Sequence, residues 1–318
     1  MKYIENFREG EQISDIYLCK QKQTLVSKAG KNYDSLLLQD KTGTVDGKIW
    51  DPNSAAIEDY DSMQYVFINA EVTIFNGKPQ LKISRLRKVK SGEYDPADYV
   101  PSSPYNIGEM FDELTTLIGT VKNPYLSKLL KMFFVDNEEF INAFKIHSAA
   151  KSVHHGFAGG LLQHTLAVAK TCNFLAGAYP VLNRDLLVSA AIFHDAGKVR
   201  ELSDFPLNDY TDEGQLIGHI VLGSEMVTEA AQKIEGFPHR LLTELKHCIL
   251  SHHGEYEFGS PKKPAIIEAV ALAYADNIDA KMETLTETFH GVTPGDTTWL
   301  GFNKWLDTNV RRTGIYED

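Results

Sequence analysis

The chain is short of cysteine: Cys19, Cys172 and Cys248 are three in 318 residues, with no Cys-x-x-Cys spacing. Neither a disulfide framework nor a thiolate zinc site has support, and the three read as small buried hydrophobes. Long apolar runs are also missing, since none approaches the roughly 20 residues that span a bilayer. No membrane association is expected. Met1-Lys-Tyr-Ile-Glu-Asn-Phe7 lacks the pattern of a signal peptide, so the expected location is cytoplasmic. No low-complexity tract or internal repeat is present.

Basic residues are in deficit, 32 Lys and Arg against 43 Asp and Glu, for a net charge of −11. Residues 1 to 95 hold 14 of each sign, so all the excess acid lies after residue 95. An acidic second part argues against non-specific DNA binding there and suits a site that concentrates divalent cations; a solvated acidic surface is the plainer alternative. The 43% hydrophobic and 24% charged fractions are those of an ordinary globular protein. The length favours two domains, either able to bury its own core.

Residues 12 to 90 read as strands and turns. Ile16-Tyr-Leu-Cys19, Tyr33-Asp-Ser-Leu-Leu-Leu-Gln39, Val45-Asp-Gly-Lys-Ile-Trp50, Tyr65 to Phe75 and Gln80-Leu-Lys-Ile-Ser-Arg-Leu86 are short, partly alternating and rich in β-branched or aromatic residues. Asn76-Gly77 marks a hairpin, because a type I′ turn needs positive φ at both central residues. Five strands with a short helical insert near Asn53 to Asp59 predict an all-β barrel of OB type over residues 1–95. Such barrels bind single-stranded nucleic acid by stacking bases on aromatic rings beside basic side chains. Tyr33, Lys48, Trp50 and Phe75, with Tyr17, Lys31 and the basic run from Lys82 to Lys90, could supply both. The alternative is that the aromatics are core and the basic run is a solvated face.

Ser91 to Pro104, with three prolines and no apolar periodicity, separates the two parts, and the linker is placed at residues 96–105. From Asn106 the apolar residues recur three and four apart, which predicts an all-α domain over 106–318. Its expected helices include Gly160 to Ala176, Arg184 to Ala196, Leu216 to Ile234, Arg240 to Leu250 and Pro264 to Met282.

Six of the eleven histidines fall at or near the ends of these helices: His164, His194, His219, His247, His252 and His253. Asp195 follows His194 directly, and Asp276 sits inside an otherwise apolar helix, where a carboxylate needs a partner or a cation. Each histidine alone is more often an ordinary core or surface residue, and His239 and His247 are read that way. Imidazole with carboxylate suits Mn²⁺, Fe²⁺, Co²⁺, Ni²⁺ or Zn²⁺ better than Ca²⁺. His164, His194, Asp195, His219, His252, His253 and Asp276 exceed what one ion with an open position requires. That surplus points to two ions bridged by a carboxylate, most naturally Asp195.

The order His, His-Asp, His, His-His, Asp on helices resembles the HD superfamily of metal-dependent phosphohydrolases. His194-Asp195-x-Gly-Lys198 with His252-His253-Gly-Glu255 resembles its two-metal branch. The OB-type barrel ahead of it, His154-His155-Gly-Phe-x-Gly-Gly-Leu-x-x-His164-Thr, and Tyr274-x-Asp276-Asn-x-Asp279-Ala are similar to the YhaM family of 3′-to-5′ exoribonucleases, over nearly the whole chain. The resemblance implies that His164, His194, Asp195 and Asp276 hold one divalent ion and Asp195, His219, His252 and His253 the other, with Mn²⁺ favoured. It implies that Asp195 and Lys198 are catalytic, the lysine touching the scissile phosphate. His155 is a substrate or extra metal contact in that reading, or else a helix-capping or surface residue. Arg311 and Arg312 are phosphate contacts, or else a solvated basic end.

The expected function is metal-dependent 3′-to-5′ hydrolysis of single-stranded RNA, and of single-stranded DNA as a further substrate, to nucleoside monophosphates. A phosphohydrolase of free or cyclic nucleotides is the first alternative. Cyclic-dinucleotide phosphodiesterases of the superfamily carry Gly-Tyr-Pro where this chain has Gly259-Ser260-Pro261, which weakens the signalling-dinucleotide version. A non-enzymatic nucleic-acid-binding protein is the second, and the intact ligand set speaks against it. A homo-oligomer is compatible with the sequence, which does not fix the assembly state.

Overall fold

Burial mostly alternates in four of five extended segments, following the period-2 pattern of the sequence, one side chain inward and the next outward. In the computed structural model, which describes residues 1–90, 92–95, 98–151 and 156–315, these are β1 (Gln12–Val26), β2 (Asn32–Asp40), β3 (Gly43–Ile49), β4 (Gln64–Phe75) and β5 (Lys78–Lys88). They close in the order β1-β2-β3-β5-β4, with β3 parallel to β5 and the other pairs antiparallel. This is a five-stranded OB-type barrel. Leu36, Leu38, Ile49, Val66, Ile68, Leu81 and Leu86 fill its interior. Register shifts at Cys19/Gln21 and Asn69/Ala70 supply the local bends that closure needs. The Asn76-Gly77 turn has φ of 49° and 76°, the positive pair expected of it.

The short helix expected near Asn53 to Asp59 does not form. Ile57 instead bridges to Leu86, with Glu58 N–H donating to the Leu86 carbonyl at 3.0 Å and Leu86 N–H to that of Ala56 at 3.0 Å. Backbone groups committed to a strand are unavailable for an i→i−4 ladder, so the segment stays as turns. After the barrel, Tyr94 stacks on Tyr65 at 3.8 Å between centroids, and buried Tyr99 meets the same ring edge-on at 4.9 Å.

The second unit is helical: α1 (Ile107–Gly119), α2 (Pro124–Phe134), α3 (Glu138–Ile146), α4 (Gly160–Ala178), α5 (Arg184–Phe193), α6 (Lys198–Glu201), α7 (Asp212–Leu216), α8 (His219–Gln232), α9 (His239–Leu250) and α10 (Ile267–Thr288). A two-stranded hairpin, β6 (Phe302–Asn303) and β7 (Thr308–Asn309), follows. The chain separates into Met1–Ser102 with Asp204–Asn208, and Ser103–Ser203 with Asp209–Asp318. Asn106, Asn123, Asn137 and Asn183 cap four helices through their side chains, each contributing about 1 kcal/mol.

Every residue of α5 from Leu186 to Phe193 is buried, as a helix apolar on all sides requires. Phe193, at its end, packs on Phe133 at 5.2 Å in a cluster with Phe134, Phe140 and Phe144. Each such ring contributes roughly 1.5–3 kcal/mol by burial. The helix that delivers His194 and Asp195 is thus the axis of the core, packed on α4, α9 and α10.

Candidate metal centre

Four helix ends and one helix face converge. His164 stands in the second turn of α4, His194 caps α5, His219 opens α8, and His252 and His253 follow α9; Asp276 comes from the middle of α10. The expected helix Leu216 to Ile234 starts instead at His219, because Gly218 takes φ 80° and ends the preceding turn there. The expected Arg184 to Ala196 breaks at Phe193, so His194 and Asp195 lie on a bend before α6.

All seven predicted ligands come together in three overlapping groups: His164, His194 and Asp276; His219, His252 and His253; and, between them, His194, Asp195 and His252. Within each group one ligand atom per residue lies within 4.8 Å of the others. Asp195 Oδ2 lies 3.4 Å from His164 Nε2 and 3.5 Å from His194 Nε2, while its Oδ1 lies 3.3 Å from His219 Nε2 and 3.6 Å from His252 Nε2. The two oxygens of one carboxylate therefore face different histidine pairs.

The five rings point the same nitrogen inward. Nδ1 of His194, His252 and His253 donates to the carbonyls of Ala191, Ile249 and Phe258, each at 2.7 Å. A carbonyl only accepts, so these nitrogens carry the proton and Nε2 is left with a lone pair. Nδ1 of His164 meets Asp279 Oδ2 at 2.6 Å, and Nδ1 of His219 meets Glu201 Oε1 at 2.8 Å. Partners of this kind orient metal-ligating imidazoles and fix their tautomer. Asp195 Oδ1, His219 Nε2 and His252 Nε2 are buried with no hydrogen-bond partner, which is costly without a cation between them. The donor set fits divalent ions.

The charge states agree. Burial alone would raise the Asp195 carboxyl, but Lys198 and the surrounding imidazoles hold it well below the usual carboxylate range. Burial likewise opposes ionisation of Asp276, and His164 more than offsets it. Burial holds the His194 and His253 rings down, at about 3 and about 4. His164 goes the other way: burial opposes its charge, yet hydrogen bonds to Asp276 and Asp279 push it up to about 10. Ionised carboxylates beside neutral imidazoles are the state that metal binding requires, and a cation held at His164 would take the place of its proton.

Lys198 Nζ lies 2.9 Å from Asp195 Oδ2 and donates to the Ala149 carbonyl at 2.6 Å, on the wall of a cavity of about 420 Å³ that also exposes His164, Asp195, His253 and Asp276. Arg311 and Arg312 are not on that wall. Arg311 lies over the Trp299 ring at 5.4 Å, and Arg312 donates to the Val292 carbonyl at 2.5 Å, so their cationic ends serve the C-terminal segment. His155 lies outside the described residues. In the barrel, Tyr33 and Trp50 stack at 4.9 Å, Lys48 Nζ donates to Ser35 at 2.6 Å, and Phe75 is exposed; Tyr17 is fully buried, its hydroxyl donating to the Lys2 carbonyl. Sequence reasoning assigned no role to Asp279 or Glu201. Asp279 had a local signal, three residues after Asp276 on one face of α10, whereas Glu201 reaches His219 only through the fold.

A helical unit that closes on a His-Asp pair in this way defines a metal-dependent hydrolase of the HD class, and the HD domain family model matches residues 161–281. The 3′-5′ exoribonuclease YhaM of Bacillus subtilis (strain 168) is 35% identical over 291 residues, 91% of this chain and 91% of its own length. That of Geobacillus sp. (strain WCH70) is 34% identical over 93% of this chain and 91% of its own, and that of Bacillus pumilus (strain SAFR-032) is 35% identical over 93% and 94%. This chain belongs to the YhaM family. Among solved structures, the second OB-fold domain of replication protein A from Methanococcus maripaludis aligns with 29% of this chain and 98% of its own, at 16% identity and a TM-score of 0.22. Among the described residues no helix is long and apolar enough to cross a membrane.

Proposed function

We propose that this chain is a cytoplasmic 3′-5′ exoribonuclease that works with two divalent ions, Mn²⁺ foremost, and releases nucleoside monophosphates from single-stranded RNA. The observation that carries the two-ion reading is the division of Asp195. Its Oδ2 faces His164 and His194 and its Oδ1 faces His219 and His252, at 3.3–3.6 Å, as a bridging carboxylate would. One ion falls to His164, His194, Asp195 and Asp276, the other to Asp195, His219, His252 and His253. The kind of reaction comes from membership of a family whose named members are 3′-5′ exoribonucleases.

When bound, such ions supply Lewis acidity toward the phosphate and acidify water. The chain's own residues do the rest. Glu201, Asp279 and three backbone carbonyls hold the imidazoles in one orientation, so little reorganises during turnover. Lys198, paired to Asp195 beside the cavity, offers its ammonium to the phosphoryl oxygens as negative charge develops. In the reaction a water oxygen bonds to phosphorus, the bond from phosphorus to the 3′ oxygen of the preceding ribose breaks, and that oxygen takes up a proton. The barrel, residues 1–95, holds the strand upstream by stacking on Tyr33, Trp50 and Phe75 beside Lys48.

The deciding experiment digests end-labelled single-stranded RNA, with single-stranded DNA in parallel, using the wild type and Asp195→Ala in Mn²⁺. The wild type is expected to release mononucleotides from the 3′ end and the variant to lose both bound metal and that release. Unchanged release by Asp195→Ala overturns the assignment.

A further inference from the structure

Among the described residues, Asn277 is the one neutral polar side chain of the catalytic cavity's lining. Of the other polar residues there, His164, Asp195, His253 and Asp276 belong to the metal centre, and Lys198 is paired with Asp195. Alanines and two aromatic residues, Phe258 and Trp305, complete the wall. The ions and Lys198 would meet a phosphate, and no residue has yet been matched to the sugar attached to it.

Asn277 is placed by α10, whose backbone fixes its position. It follows Asp276 directly, so the two Cα atoms stand about 3.8 Å apart, and it is exposed where Asp276 is half-buried. Ala273 and Ala280, four residues before and three after on the same side of the helix, line the same cavity and leave room beside the carboxamide. Asparagine is a poorer helix former than those alanines, because its amide competes for backbone groups. Helix formation therefore does not explain it, whereas a carboxamide offers what a methyl group lacks, an acceptor and two donors. The cavity, at about 420 Å³, is within the range of small-ligand sites.

We propose that Asn277 hydrogen-bonds the 2′ and 3′ hydroxyls of the 3′-terminal ribose, Oδ1 accepting from one and Nδ2 donating to the other. This rests on the exoribonuclease reading. In a nucleotide the ribose lies between phosphate and base, so a group one residue from an ion's ligand meets the sugar first. The 2′ hydroxyl is what distinguishes RNA from DNA at a given site, and both hydroxyls are free together only at the 3′ end of a strand. Asn277 thus selects for ribonucleotides and for strand ends through one contact.

The test uses the full chain in Mn²⁺ and three single-stranded RNAs that differ only in the last sugar: ribose, 2′-deoxyribose and 3′-deoxyribose. Wild type is expected to remove the ribose-bearing nucleotide with a kcat/KM roughly three- to tenfold above either deoxy form, as the loss of one hydrogen bond implies. Asn277→Ala should bring both ratios near unity with wild-type Mn²⁺ content. Asn277→Leu, which keeps the volume without the hydrogen bonds, should do the same. Unchanged ratios in the variants, with or without an equal loss on all three RNAs, overturn the proposal, as does absence of discrimination by wild type; each leaves the exoribonuclease reading standing. Loss of Mn²⁺ from both variants would make Asn277 a support of the metal centre and equally overturn it. If wild type releases nothing from any of the three RNAs, the exoribonuclease reading falls and this inference falls with it.

Discussion

Gly197 and His219 approach so closely that a Cβ on Gly197 would lie 2.1 Å from the carbonyl oxygen of His219; it would also lie 2.6 Å from the Gly223 amide nitrogen. The bend after the His-Asp pair rests directly on the first turn of α8. This contact brings His219 Nε2 within 3.3 Å of Asp195.

Gly197→Ala is therefore expected to push α8 away from α5. Because the obstacle is backbone on both sides, relief needs movement of a helix, and the cost is at least the ~1–3 kcal/mol of ordinary overpacking. A lower Tm with Mn²⁺ content below wild type is the expected result. Wild-type values for both would show that the contact does not set the site.

Asp279→Ala and Glu201→Ala each remove the carboxylate that holds one ligand ring, on His164 and His219 respectively. Loss of such partners weakens metal affinity by about 10–100-fold. Titration calorimetry with Mn²⁺ should show that weakening, and excess Mn²⁺ should restore much of the activity. Wild-type affinity in both variants would remove the orienting role.

Ions that bind only the folded chain should raise its stability with concentration, by roughly 2.7 kcal/mol at a hundred times Kd. Dialysis against a chelator is expected to lower Tm and added Mn²⁺ to restore it. In Asp195→Ala the Mn²⁺ dependence should largely vanish. A Tm that ignores Mn²⁺ in the wild type would count against the centre.

In the barrel, Trp50→Ala deletes half of the Tyr33–Trp50 stack. Loss of one stacking platform should weaken binding of a long single-stranded RNA by roughly 1–3 kcal/mol and leave turnover of a dinucleotide close to wild type. Equal effects on both substrates would place Trp50 outside strand binding.

What could be read from the chain was whatever is local or periodic. The His194-Asp195 adjacency, the His252-His253 pair and the apolar setting of Asp276 all announce themselves within a few residues, and the five strands follow from alternation and the Asn76-Gly77 turn. The segment Asn53 to Asp59 misleads because Ser-Ala-Ala-Ile-Glu has adequate helix propensity, whereas its conformation is decided by Leu86, 29 positions beyond Ile57 in the pairing. Glu201 was illegible for a related reason. An acidic residue near a helix end gains meaning only when α8 is in place and brings His219 against it.

The anchoring of the five rings also divides what mutation can change. His194, His252 and His253 are tethered to main-chain carbonyls, which persist whatever side chain occupies Ala191, Ile249 or Phe258. His164 and His219 are tethered to side chains, and in the two-ion assignment each belongs to a different ion. Every ion then has one imidazole whose basicity a single substitution can adjust, beside others that no substitution of their anchor can reach. Relatives could thus drift in metal preference one ion at a time while the ring framework stays constant.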